Sequence, residues 1–213
     1  MSMGELQLSN QNVLAMTGDS SWTEVAEKEH LVHFYTADKL LIDALAHYVS
    51  RGFDNKEAVI IIATEEHLGM LNRELEDRNY DIFSLARKDL YMTIVASDLL
   101  NEFMVDGWPV KNLFEEAIQP VLQKAIRGNR KIRAFGEMVM LLWKRGLHGA
   151  TIHLEHLWNE LAEEYDFALL CAYPSQAFTH GLESAIQHVC KAHSKVIIAA
   201  DSIQAIGENK ATA

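Results

Sequence analysis

Five short apolar runs dominate the chain, and few of them alternate apolar with polar residues. They are AVIIIAT (Ala58–Thr64), LYMTIVAS (Leu90–Ser97), KIRAFGEM (Lys131–Met138), FALLCAYP (Phe167–Pro174) and KVIIAA (Lys195–Ala200). A strand with one face in water alternates, whereas a strand covered on both faces does not. Between the runs lie segments of helical period. Lys39–Arg51 is apolar over much of its circumference, with Thr36 or Asp38 placed to cap it. His67–Arg78 carries Leu68, Leu71 and Leu75 on one face, and Val110–Arg127 carries Phe114, Ile118 and Leu122, with a kink expected at Pro120. Ala150–Glu164 carries Leu154, Leu157, Trp158 and Leu161, and Ser175 is placed to cap a helix with Phe178, Leu182, Ile186 and Val189 inward. Strands alternating with helices across short connections predict an α/β three-layer sandwich with a mostly parallel central sheet. The expected organisation is a flexible arm over 1–28 with a short helix near Trp22–Lys28, a single domain over 29–206, and a disordered tail over 207–213.

Composition narrows the function. The net charge is −11, which speaks against a nucleic-acid backbone as partner, since phosphates are met by clustered Lys and Arg. The basic run RGNRKIR (Arg127–Arg133) reads as a solvated turn leading into a strand. Two cysteines, Cys171 and Cys190, do not make a secreted disulfide framework. No basic segment followed by an apolar core opens the chain, and no apolar run reaches the ~18–20 residues of a membrane span. The expectation is a cytoplasmic protein with neither nucleic acid nor membrane as partner.

The polar residues that interrupt the apolar pattern fall at the ends of the runs and in the segment His30-Leu-Val-His33-Phe-Tyr35, read as a loop entering the first helix. In parallel α/β sheets ligands sit beyond the carboxyl ends of the strands. His30, His33, Tyr35, Arg133, Glu137 and Tyr173 are therefore the expected ligand-binding group, suited to a small organic molecule with one or two polar handles. The alternative is that Arg133 pairs with Glu137 or with Glu155 and ties strand to helix. No metal or other cofactor is expected. His153 and His156 share a helix and Cys190 and His193 have a CxxH spacing, but each pair is two ligands short of a site. Cys171 reads as a small apolar residue of a buried strand. The stretch Met138–Trp143 reads as a buried helix or a partner surface.

The separated matches His30 with Phe34-Tyr35, Arg133 with Gly136-Glu137-Met138, Leu154-Glu155 with Asn159, Cys171 with Tyr173 and Phe178, and His193 before the last strand resemble the MEDS sensory domains, named after the DcmR regulator, over roughly His30 to Ile198. The resemblance makes Gly136, Glu155, Asn159, Cys171, Phe178 and His193 structural motif residues. Family members often carry Cys between the two histidines, where this chain has Val32.

The resemblance also implies a KaiC/RecA-like, P-loop NTPase-like fold without a functional P-loop. The segment His30–Leu41 has no glycine, and no Gly-Lys-Ser/Thr occurs in the chain, so the backbone cradle for phosphates is lacking. Glu65 and Glu66 stand where such ATPases carry catalytic carboxylates, and read here as acidic residues at a helix N-terminus. The resulting expectation is a non-enzymatic sensory or regulatory module of bacterial or archaeal signal transduction. It takes a small ligand or a partner protein in the old nucleotide crevice. Its output partner is expected to be a histidine kinase, a transcription regulator, another signalling protein or a second copy of itself. A nucleotide-binding switch or weak ATPase, and a scaffold without ligand, are the alternatives.

Overall fold

The computed structural model describes residues 12–16, 25–26, 28–177 and 182–199. The expected tail, Phe178 and most of the helix expected near Trp22–Lys28 lie outside the described residues. The elements in chain order are β1 (Asn12–Met16), β2 (His30–Tyr35), α1 (Asp38–Asp54), β3 (Ala58–Ala63), α2 (Glu65–Asp77), α3 (Ile82–Arg87), β4 (Tyr91–Val95), α4 (Ala96–Phe103), β5 (Met104–Val105), β6 (Trp108–Pro109), α5 (Lys111–Ala125), β7 (Ile132–Gly136), α6 (Met138–Lys144), α7 (His148–Tyr165), β8 (Phe167–Pro174), α8 (Glu183–Ala192) and β9 (Lys195–Ala199).

Among the described residues, seven strands form one sheet in the order β1-β9-β2-β8-β7-β3-β4, and every neighbouring pair in it is parallel. The missing alternation in the apolar runs has the expected cause. In β3, Ala58, Ile60 and Ile62 face a core built with α4 to α8, while Val59, Ile61 and Ala63 face a second core built with α1 and α2. This is the three-layer sandwich that the sequence predicts.

Several sequence expectations are corrected. His30–Tyr35 is not a loop but an interior strand, β2, buried along its whole length and paired with β8 and β9. Two histidines and a tyrosine mask a strand when hydrophobicity is the signal. Part of the expected arm, Asn12–Met16, is an edge strand paired with β9. The helix expected from Ser175 begins later: Ser175–Ala177 is a 3-10 turn, and α8 starts at Glu183 with Ile186 and Val189 buried as expected. Helix α1 is capped by neither Thr36 nor Asp38, since its N-cap is Ala37 and carries no side-chain bond. Met138–Trp143 lies in the buried helix α6. A small hairpin, β5–β6, turns at Asp106-Gly107 with both residues at positive φ, the backbone that an Asp-Gly pair favours in a two-residue turn.

Arg133 sits at the amino end of β7 and points toward α1. Its guanidinium lies 4.7 Å from the Tyr48 ring centroid, donates from Nε to Glu57 Oε2 at 2.6 Å and from Nη1 to the Tyr48 carbonyl at 3.4 Å. It therefore pairs with neither Glu137 nor Glu155, and it lies at the amino ends of the strands, the end of the sheet opposite Glu137. A cleft of about 410 Å³ opens there, lined by Val25, Ala26, Glu57, Lys131 and Arg133 among others. Gly52 of α1 is the residue that lets helix and strand approach. A Cβ there would stand 2.8 Å from Val59 Cγ2 and 3.2 Å from Arg133 Cδ. Truncating one partner of a buried pair leaves the other charge uncompensated. Arg133→Ala should cost about 3–5 kcal/mol in urea unfolding, and Gly52→Ala should destabilise despite its better helix propensity, because overpacking costs ~1–3 kcal/mol against about 1 kcal/mol gained.

Candidate functional site

Helices α1 and α2 leave the carboxyl ends of β2 and β3 toward one face of the sheet, and α6 leaves β7 toward the other. The neighbours β3 and β7 thus diverge at their carboxyl ends, which makes the kind of crevice where α/β sheets bind ligands. Glu137 stands there, immediately after β7 and fully buried. Its backbone N–H donates to the Ile62 carbonyl at 2.9 Å. Its Oε2 accepts from the Thr64 N–H at 2.9 Å, and its Oε1 lies 2.6 Å from His67 Nδ1. Thr64 also caps α2 by accepting from the His67 N–H, which aims the imidazole back over the strand ends. On the far side, His67 Nε2 lies 3.6 Å from Asp38 Oδ1. A chain Glu137–His67–Asp38 therefore runs from the dry interior to the surface, where more than half of the Asp38 side chain is exposed.

Burial opposes the imidazolium of His67, but the Glu137 hydrogen bond and the charges of Glu137, Asp38 and Glu66 outweigh it and raise its pKa. Tyr35 ends β2 beside this chain, and burial followed by the charges of Glu137 and Asp38 holds its hydroxyl protonated. Only Thr36 and Ala37 separate β2 from α1. Glu65 and Glu66 are exposed in the first turn of α2.

A second polar cluster lies on the other face, between β2, β8 and α7. The strand alternation of β2 sends His33 and Tyr35 toward α1, and His30 the opposite way with Val32 and Phe34. His30 Nε2 lies 3.3 Å from Cys171 Sγ and 3.3 Å from Glu155 Oε2. His193 Nε2 lies 3.6 Å from the same Glu155 oxygen. Tyr173 donates its hydroxyl to Glu155 Oε1 at 2.6 Å. Asn159, one helical turn after Glu155, places Oδ1 2.8 Å from His30 Nδ1 and donates from Nδ2 to the Ala192 carbonyl. Burial alone would raise the Glu155 pKa; the charges of His193 and His30 and the hydrogen bonds of His30 and Tyr173 bring it down to about 2. Burial, then the charge of His30, lowers His193 to about 4. Burial, then Glu155, pushes the Cys171 thiol well up, so it is no exposed nucleophile.

The six residues expected to share one ligand site are thus divided. Tyr35 and Glu137 meet at the carboxyl-end crevice. His33 is buried near Tyr35, their ring centroids 6.4 Å apart. His30 and Tyr173 belong to the Glu155 cluster, and Arg133 to the amino ends of the strands. Gly136 ends β7, with 3.8 Å from a hypothetical Cβ to Leu169. His67 escaped the sequence reading; the signal was its place three residues after Thr64, in the first turn of a helix following a buried strand. His153 stacks on Trp108 with ring centroids 5.1 Å apart, while His156 is exposed.

A family model described as "MEDS: MEthanogen/methylotroph, DcmR Sensory domain" matches residues 29–194. No curated protein matches the chain.

The histidines set opposing pH slopes. Burial lowers His33 to about 4, so the unfolded chain binds more protons between about 4 and 6.5, and stability should climb with pH across that window. His67 is raised, so its contribution is present below about 6.5 and is lost as pH rises through its folded pKa. Urea unfolding across pH should show a maximum between these slopes. Glu137→Gln should remove the decline on the alkaline side and leave the acid slope in place.

Proposed function

The chain belongs to the MEDS sensory-domain family, and from that membership we propose that it is a sensory or regulatory module whose ligand sits in the crevice between the carboxyl ends of β3 and β7. The observation that carries the reading is the Glu137–His67–Asp38 chain, which runs from full burial to solvent at that crevice. With Tyr35 it offers two carboxylates, an imidazole and a phenol. The negative balance favours a small neutral or cationic molecule that donates hydrogen bonds, such as an alcohol, amine or amide, over an anion. A ligand bonding to Asp38 competes for His67, and through it for Glu137, so binding would favour one arrangement of α1 and α2 over another.

Descent from the KaiC/RecA-like ATPases belongs to the same proposal, and so does the absence of ATP hydrolysis. A phosphate loop needs several residues with inward-turned N–H groups between strand and helix; Thr36 and Ala37 are too few, and Asp38 and Glu137 bring negative charge to the region where phosphates would lie. No helix among the described residues is long and apolar enough to cross a membrane. We place the module in the cytoplasm, acting through a histidine kinase, a transcription regulator, another signalling protein or a second copy of the chain.

Calorimetric titration with ATP and ADP, with and without Mg²⁺, should give no binding tighter than ~100 μM (about −5.5 kcal/mol); tighter binding would restore the nucleotide-switch reading. In a thermal-shift screen of small alcohols, amines and amides, Glu137→Gln and Asp38→Asn should weaken any hit at least about tenfold, roughly 1.4 kcal/mol. Hits unchanged in both variants would place the ligand elsewhere.

A further inference from the structure

His30, Cys171, Glu155 and His193 come from β2, β8, α7 and the segment after α8, and their donor atoms all lie within 4.8 Å of one another. All four are buried. We propose that they form a closed four-ligand site for a divalent transition metal of the zinc type. The site is separate from the carboxyl-end crevice and does not depend on the reading given to it.

The first argument is geometric. Zinc bonds of about 2.0–2.3 Å imply donor-to-donor edges of about 3.3–3.8 Å in a tetrahedron. Four of the six edges are already in that range: His30 Nε2 to Cys171 Sγ at 3.3 Å, His30 Nε2 to Glu155 Oε2 at 3.3 Å, Cys171 Sγ to Glu155 Oε2 at 3.5 Å, and His193 Nε2 to Glu155 Oε2 at 3.6 Å.

The second argument is the direction of the lone pairs. Asn159 donates its amide N–H to the Ala192 carbonyl, which turns its Oδ1 toward His30. An amide oxygen only accepts, so His30 carries a proton on Nδ1. His193 Nδ1 faces the Val189 carbonyl at 2.6 Å, so it too is the protonated nitrogen. Both Nε2 atoms therefore turn toward the same carboxylate oxygen and thiol. His193 Nε2 has no hydrogen-bond partner among the described residues. Two nitrogens, a carboxylate oxygen and a sulfur converging on one dry point repel one another unless a proton or a cation stands between them. Metal-bound histidines characteristically donate their second N–H to an oxygen acceptor, and ligating carboxylates are themselves hydrogen-bonded, as Glu155 is where its outer oxygen accepts from the Tyr173 hydroxyl.

The third argument is charge. A divalent ion with one carboxylate, one thiolate and two neutral imidazoles makes a site of zero net charge, which a low-dielectric interior accepts. The mixed nitrogen, sulfur and oxygen set suits zinc and disfavours Mg²⁺ and Ca²⁺, which take oxygen ligands. Four protein ligands leave no open position, so the ion would hold structure rather than activate water. Because every ligand is buried, it enters as the chain folds.

Protein expressed in zinc-supplemented medium and purified under reducing conditions should carry one zinc per chain by elemental analysis. Expression in cobalt should give the intense visible bands of tetrahedral Co²⁺ and a thiolate-to-cobalt charge-transfer band. With two cysteines in the chain, Cys190→Ala should keep that band and Cys171→Ser should lose it while retaining native circular dichroism. Asn159→Ala should keep one site per chain and weaken it about 10–100-fold. Folded wild-type protein without stoichiometric zinc or cobalt, a cobalt spectrum without charge transfer, or a band that survives Cys171→Ser would each overturn the proposal. If Cys171→Ser does not fold, the wild-type and Cys190→Ala spectra decide.

Discussion

Glu155 is a carboxylate with no exposed surface, at the middle of α7 in the layer between helix and sheet. A charge in that position is tolerated only where other groups compensate it. The compensation is drawn from far along the chain: an imidazole from β2, a thiol and a phenol from β8, and a second imidazole from the segment after α8. Asn159 then ties the first imidazole to the end of α8. Two parallel strands, two helices and the connection that leads into β9 are thereby referred to one point. An apolar side chain at 155 would fill the same space without specifying which of the many apolar surfaces meet there. The carboxylate fixes register as well as proximity, because a one-residue slip of β2 would turn His30 to the opposite face of the sheet.

The same alternation separates two chemistries on one strand. His30 serves the interior cluster on the α7 face. Tyr35 emerges at the carboxyl end on the α1 face, beside Glu137 and Asp38. The first site is closed and dry. The second reaches solvent through Asp38. A polar network that is fully enclosed is suited to holding a structure, and one that ends at the surface is suited to responding to what arrives there.

The sheet was legible because strands rich in apolar residues leave a distinctive run in the sequence, and five of the seven strands among the described residues carry one, edge strand β4 with Thr93 exposed. β2 was not, since His30, His33 and Tyr35 break the apolar run, and their burial follows from tertiary partners that no local window contains. The helices were legible from their apolar stripes to within a few residues, with the start of α8 the exception. Glu137 could be placed from the sequence because it directly follows an apolar strand. The Glu155 cluster could not be assembled, although each member was singled out, because its members lie on four elements and only the strand order brings them together. Arg133 was misplaced for the same reason. It was read against Glu137, four residues on, when the side that a strand residue faces and the end of the strand it occupies decide its partner. Glu57 is that partner, at the start of a neighbouring strand.

The parallel topology has a consequence for how the chain comes into being. β2 is made early, yet its neighbours in the sheet are β8 and β9. His30 finds Cys171 across 141 residues and Ser194 across 164. During synthesis from the amino terminus, α1 can dock on one face of β2 while both edges of the strand stay unpaired. Glu155 likewise reaches the nascent chain before Cys171, Tyr173 and His193 exist to accommodate its charge. Closing such long loops must be accomplished before the contacts reward it. A strand in the interior of the finished sheet is thus among the last to be secured, and a chain released short of Ser194 would carry a buried-type charge and an open sheet edge together, the combination that favours aggregation over folding.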